Sequence, residues 1–198
     1  MDPTAFAGLR AEVESLFQSV GPRPWLAPRP AAQGPAVEEY SRCLDPGKYL
    51  ITQQRATAWS SALVDSGVAT SNRMGPRTLG HWGAVETTSL VSSRPGTEPV
   101  FLHFTLEHLR GVIIAYGNPD VVLTAQPVCG CDACDDGSGP LLEAIDEAFE
   151  SIVLGEVLIE HGKRTARVVT HAGESTSSTL DPDPSWVLGR WNGAPWLD

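Results

Sequence analysis

The chain has 198 residues, with 24 acidic side chains against 14 basic ones and a net charge of −10 at pH 7. A surface this negative repels phosphate backbones and anionic lipid headgroups, so neither nucleic acid nor a membrane is expected as a partner. Hydrophobic residues at 41% and charged residues at 19% exclude global disorder and suffice for a packed core, in a length that suits one domain with extensions.

Met1-Asp2-Pro3-Thr4 has neither the positive n-region nor the apolar h-region of a secretory signal, and no apolar run approaches the roughly 18 residues of a membrane span. A cytoplasmic location is therefore expected, where the four cysteines serve as thiols or metal ligands rather than disulfides. Residues 4–20 place Phe6, Leu9, Val13, Leu16, Phe17 and Val20 on one stripe, which predicts a helix capped by Thr4. Pro22, Pro24, Pro28 and Pro30 then forbid helix and predict an extended arm. This sets residues 1–34, a helix and an arm, apart from a domain over 35–198. The helix is expected to pack loosely on the rest or on another chain, and helix and arm are the expected contact of any homo-oligomer.

Residues 36–43 predict a helical turn. Asp45-Pro46 reads as an N-cap followed by an N1 proline, opening a helix from 47 to about 65 that buries Leu50, Ala56, Trp59 and Leu63. The stretch 68–80 reads as turns. From 83 to 128 the apolar period changes to two, with short breaks at Arg94-Pro95-Gly96, Leu109-Arg110-Gly111 and Gly117-Asn118-Pro119-Asp120. Short breaks join antiparallel neighbours, which predicts a four-stranded meander. Beyond a cysteine loop, Ser138 caps a helix with Leu141, Leu142, Ile145, Phe149, Ile152 and Val153 on one side, ended by Gly155. Segments 156–161 and 164–171 predict a hairpin, and 172–184 reads as loop. The expected class is α+β: the meander and C-terminal hairpin packed against two or three helices. No GxGxxG, Walker, GxSxG or HExxH pattern is present.

Cys129-Gly130-Cys131-Asp132-Ala133-Cys134-Asp135-Asp136-Gly137 is the one segment with metal-ligand density. Zinc takes four ligands in a tetrahedron, and Cys129, Cys131 and Cys134 supply three of them in a turn that contains glycine. The fourth stays open between Cys43, His81, His103, His108, His161, His171 and the local Asp132 or Asp135. A structural zinc is one reading of these sulfurs. Thiol redox through Cys131 and Cys134 is another, opposed by Asp132, Asp135 and Asp136, which disfavour a thiolate. Small buried cysteines in a tight turn are the third.

The run Pro127-Val128-Cys129-Gly130-Cys131-Asp132-Ala133-Cys134-Asp135, followed by Leu142-Glu143-Ala144-Ile145-Asp146, resembles an actinobacterial family of domains of unknown function. Glu39-Tyr40-Ser41-Arg42, Asp45-Pro46-Gly47-Lys48-Tyr49 and Gly193-Ala194-Pro195-Trp196-Leu197 resemble its early and closing segments. The similarity covers about residues 38–198, leaving out the first helix and the arm, and Cys43 stands outside its motif. The resemblance implies a single domain and carries no activity.

Other candidates have plainer readings. Scattered histidines lack an orienting partner in the sequence. Trp186, Trp191 and Trp196 are expected to dock on the sheet and staple the C-terminus rather than clamp a ligand. Glu143, Asp146, Glu147 and Glu150 read as the solvated face of a helix. The expected function is that of a non-enzymatic, zinc-stabilised domain acting through contacts with a protein partner. The alternative is a metal- or thiol-dependent enzyme centred on the same three cysteines.

Overall fold

The computed structural model describes residues 3–30, 32–107, 109–117, 121–161, 165–170, 173–178 and 190–197. Helix α1 (Pro3–Ser19) takes the expected apolar stripe and buries Leu9, Val13 and Phe17 against α2 (Leu50–Asp65). The expectation of a loosely packed first helix is thereby corrected. The stripe is matched by Ala56, Trp59 and Leu63 on α2, and burial of three large side chains outweighs the freedom of the proline linker. Helix α2 follows directly on a 3-10 turn at Pro46–Tyr49 and buries Ile51 in place of Leu50, which stays 37% exposed.

Five strands make an antiparallel sheet in the order β1-β2-β3-β4-β5: Ala69–Thr78, Ala84–Ser92, Val100–Thr105, Val112–Tyr116 and Val121–Gln126. The last four are the predicted meander. Strand β1 corrects the reading of 68–80 as turns. Its residues 70–74 are all exposed, so no apolar alternation marks it, and its place at the sheet edge tolerates Pro76 and a bulge between Arg73 and Gly75. Leu90, Val100, Leu102, Val112, Ile114, Tyr116 and Val121 meet the helices in one core.

Helix α3 (Ser138–Leu154) lays Ile145, Phe149, Ile152 and Val153 into that core. Phe149 stacks on Trp59 with ring centroids 5.2 Å apart and planes 6° from parallel. Arg55 of α2 joins the three helices. It grips Asp146 of α3 with Nε (2.7 Å) and Nη2 (2.8 Å), gives Nη1 to Glu14 of α1 (2.8 Å), and lies over the Phe17 ring. Trp59 Nε1 also donates to Asp146 (2.7 Å). The reading of Asp146 as part of a solvated face is therefore corrected, because an Arg–carboxylate fork satisfies the charge within the helix packing.

A second sheet, ordered β8-β7-β6-β9, contains β6 (Leu158–His161), β7 (Thr165–Thr170), β8 (Gly173–Ser178) and β9 (Arg190–Asn192). The hairpin β6–β7 is as predicted. Strand β8 corrects the loop reading of 172–184 over residues 173–178, where a Ser/Thr-rich edge pairs through its backbone and Glu174 meets the Arg167 fork. The C-terminal segment docks as expected for Trp196, which is 2% exposed and gives its backbone N–H to Val153 O. Gly155 in the left-handed region (φ 71°) ends α3 and lets that segment pass, since a Cβ there would lie 2.5 Å from Pro195 N. Trp186 lies outside the described residues, and Trp191 falls in β9. No helix among the described residues is long and apolar enough to cross a membrane.

Candidate metal centre

Strand β5 ends at Gln126, and the following Pro127 has no N–H to continue the ladder. The chain then runs through Cys129 and Cys131 into a 3-10 turn at Asp132–Cys134, closed by Cys134 N–H to Cys131 O (3.1 Å). This brings the Sγ atoms of Cys129, Cys131 and Cys134 within 4.8 Å of one another, close enough to share one cation. Cys129 and Cys134 are exposed and Cys131 is half-buried. The reading of these three as buried core cysteines is thereby corrected.

Four separate segments hold the loop. Asp132 Oδ1 accepts from Leu44 N–H (3.1 Å) and Oδ2 from Arg42 Nε (2.9 Å), while Asp132 N–H reaches Arg42 O (2.9 Å). Arg29 of the arm donates to Ala133 O (2.6 Å) and Asp132 O, and pairs with Glu39 (2.8 Å). Asp135, 8% exposed, accepts from Trp25 Nε1 (2.8 Å) and Gly137 N–H (3.0 Å) on Oδ1, and salt-bridges Lys48 through Oδ2. The Lys48 ammonium lies over the Trp25 and Tyr49 rings. Trp25 and Ser138 are joined twice, by Ser138 N–H to Trp25 O at 3.0 Å and by Trp25 N–H to the Ser138 hydroxyl Oγ at 3.1 Å. Gly137 (φ 87°) is needed here, because a Cβ would lie 2.8 Å from Ala27 N of the arm.

The electrostatics follow from these contacts. Asp132 is shifted below its ordinary value: the Leu44 amide is the largest cause, desolvation opposes it, and Arg42 and Lys48 add to the lowering. Burial pushes Asp135 up, but Lys48, Trp25 and the Gly137 amide together bring it below its ordinary value. Both carboxylates are thus paired with cations and amides of the surrounding segments, while the charge of Asp132 adds to burial in raising the Cys43 thiol. A hydrogen bond from Cys129, with Sγ–Sγ 3.2 Å, draws the Cys131 thiol down. Bonding to Cys131 and Cys129 pushes Cys134 up to about 11. A cation held by these sulfurs would take the place of the protons that they share.

Among the described residues no further Cys, His, Asp or Glu joins the three sulfurs. Cys43 is half-buried and lines a cavity of about 420 Å³ together with Cys131, outside the cluster. Burial raises its thiol. His81 stands in a 3-10 turn, 4.4 Å from the Trp82 ring, and His103 is buried in the sheet with Nδ1 3.0 Å from Thr87 Oγ1. Asp132 and Asp135 are engaged as described. His108, His171 and the His161 side chain lie outside the described residues.

A family model described as "Family of unknown function (DUF6226)" matches residues 13–192. The chain belongs to this family. The DUF6226 match begins within α1 and takes in the arm, so the span of about 38–198 read from the resemblance is corrected at its start. It stops short of the closing Gly193–Leu197 segment. No curated protein and no solved structure matches the chain. The supporting residues Trp25, Arg29, Arg42 and Lys48 carry no motif of their own. Only the Asp-Pro-Gly-Lys run and the arginines of the arm hint at them, since their partners stand about a hundred residues away in sequence.

Proposed function

We propose that this protein is a non-enzymatic metal-binding domain that holds zinc through Cys129, Cys131 and Cys134 and receives its fourth ligand from a protein partner. The convergence of three sulfurs within 4.8 Å carries the reading. Thiolates select soft and borderline cations, zinc among them. The loop is already fixed by Arg29, Arg42, Lys48 and Trp25, so the cation is not required to fold it. A site built in advance and left one ligand short suits completion by another molecule. Val37, Tyr40, Leu44 and Val128, which are 61–82% exposed, flank the loop and give a partner an apolar rim. The partner that fits is a segment with one imidazole or thiol donor among apolar side chains, and a reducing cytoplasm keeps the thiols ready for it.

Elemental analysis of the purified chain and titration with cobalt(II) test this. One zinc per chain is expected, with a thiolate-to-cobalt charge-transfer band that disappears in Cys131→Ser. Absence of bound metal together with absence of that band would sink the proposal.

The 3.2 Å contact between Cys129 and Cys131 and the lowered Cys131 thiol favour a second reading. In it the Cys131 thiolate attacks a substrate disulfide and expels one thiol. Cys129 then attacks the mixed disulfide, expelling the second thiol and leaving a Cys129–Cys131 bond. Counting reactive thiols before and after incubation with glutathione disulfide separates the two readings. Two thiols lost per chain, with two equivalents of glutathione released, supports this one.

A further inference from the structure

A cleft of about 720 Å³ lies between the proline arm and the start of α2; it shares Trp25 and Lys48 with the support of the cysteine loop, but no cysteine lines it. Its volume falls within the range of small-molecule sites, about 300–1,000 Å³. Arg23 lines it, and this guanidinium makes no hydrogen bond or ion pair among the described residues. The amide of Gln54, also in the lining, is without a partner in the same sense. On a chain of net charge −10, an unpaired arginine in a concave surface singles out this place for an anion. Lys48 adds positive field, although its ammonium is committed to Asp135.

The other half of the cleft is apolar. Trp25, Leu50 and Ile51 line it. The Trp25 ring is fixed by its Nε1 bond to Asp135 and by its edge-on contact with Tyr49, centroids 5.9 Å apart and planes at 80°. A wall already held in place costs little ordering when a ligand lands on it. Asp45 closes part of the rim, so one negative charge suits the cleft better than two.

We propose that this cleft binds a small amphipathic carboxylate, its headgroup forked on Arg23 with Gln54 assisting, and its aryl or alkyl part against Trp25 and Leu50. This goes beyond the zinc reading and does not depend on it.

The test uses the full chain and two probes, phenylacetate and hexanoate, followed by calorimetry and by amide and indole NMR shifts. Saturable binding in the millimolar range or tighter is expected, with shifts at residues 21–25 and 47–54 and at the Trp25 indole. Arg23→Ala should weaken it about tenfold or more, as loss of a charge-assisted contact does. Arg73→Ala, an exposed arginine on β1, should leave it unchanged. Binding should persist in Cys131→Ser, so its failure and that of the metal site are read separately. No saturable binding of either probe, equal affinity in Arg23→Ala, or inorganic phosphate binding as tightly as phenylacetate would each overturn the proposal.

Discussion

Replacing Asp135 tests whether the loop is held by the protein itself. Its carboxylate joins the arm, the turn before α2 and the start of α3, through Trp25 Nε1, Lys48 and the Gly137 amide. Asp135→Ala removes all three contacts and strands the Lys48 ammonium, whose side chain is only 16% exposed. Breaking a buried pair from one side costs about 3–5 kcal/mol, and some solvent reaches Lys48, so about 3 kcal/mol is expected. For a chain of this size that corresponds to a fall in Tm of about 6–12 °C. Asp135→Asn keeps an oxygen for Trp25 and Gly137 and loses mainly the charge, so about half that cost is expected. Lys48→Met added to Asp135→Ala should recover part of the loss, because the stranded charge is gone. Urea denaturation followed by tryptophan fluorescence measures all four chains. If Asp135→Ala lies within about 0.5 kcal/mol of the parent, the loop is not held as argued, and the case for a site built before metal arrives fails.

Arg55→Met should cost about 3–5 kcal/mol by leaving Asp146 buried with Trp59 alone, and Arg55→Met with Asp146→Leu should regain much of it; denaturation midpoints decide. Gly137→Ala forces a strained φ and a clash with the arm backbone, so a loss of about 1–3 kcal/mol and faster proteolytic cleavage within residues 21–30 are expected. Asp135 titrates lower when folded than when unfolded, so its contribution is complete above the unfolded value of about 3.9 and is lost as pH falls through the folded value. Stability measured from pH 6 downward should therefore drop below about pH 4, less steeply in Asp135→Asn.

Much of the fold was legible along the chain. The 3.6-residue stripe of α1 and the two-residue alternation of β2 and β3 are local patterns set by burial of one face, β4 is a short apolar run buried throughout, and Gly155 is a local stop for α3. Strand β1 was not, because an exposed edge strand buries no face and shows no alternation. Strand β8 was missed for a related reason: its Ser and Thr residues pair by backbone and by the Arg167–Glu174 bridge. The three sulfurs were identified by spacing alone, since CxCxxC in a turn brings them near one another whatever lies around it.

The sequence by itself determined the helices, the meander and the thiol cluster, because those depend on neighbours within a few residues. Tertiary structure decided what Asp132, Asp135 and Asp146 do. In the sequence they are acids in polar runs, and in the fold each answers a cation or an N–H brought from far along the chain. It also decided that the arm belongs to the site, because a proline-rich segment has no internal hydrogen bonds and takes its place from whatever it docks on.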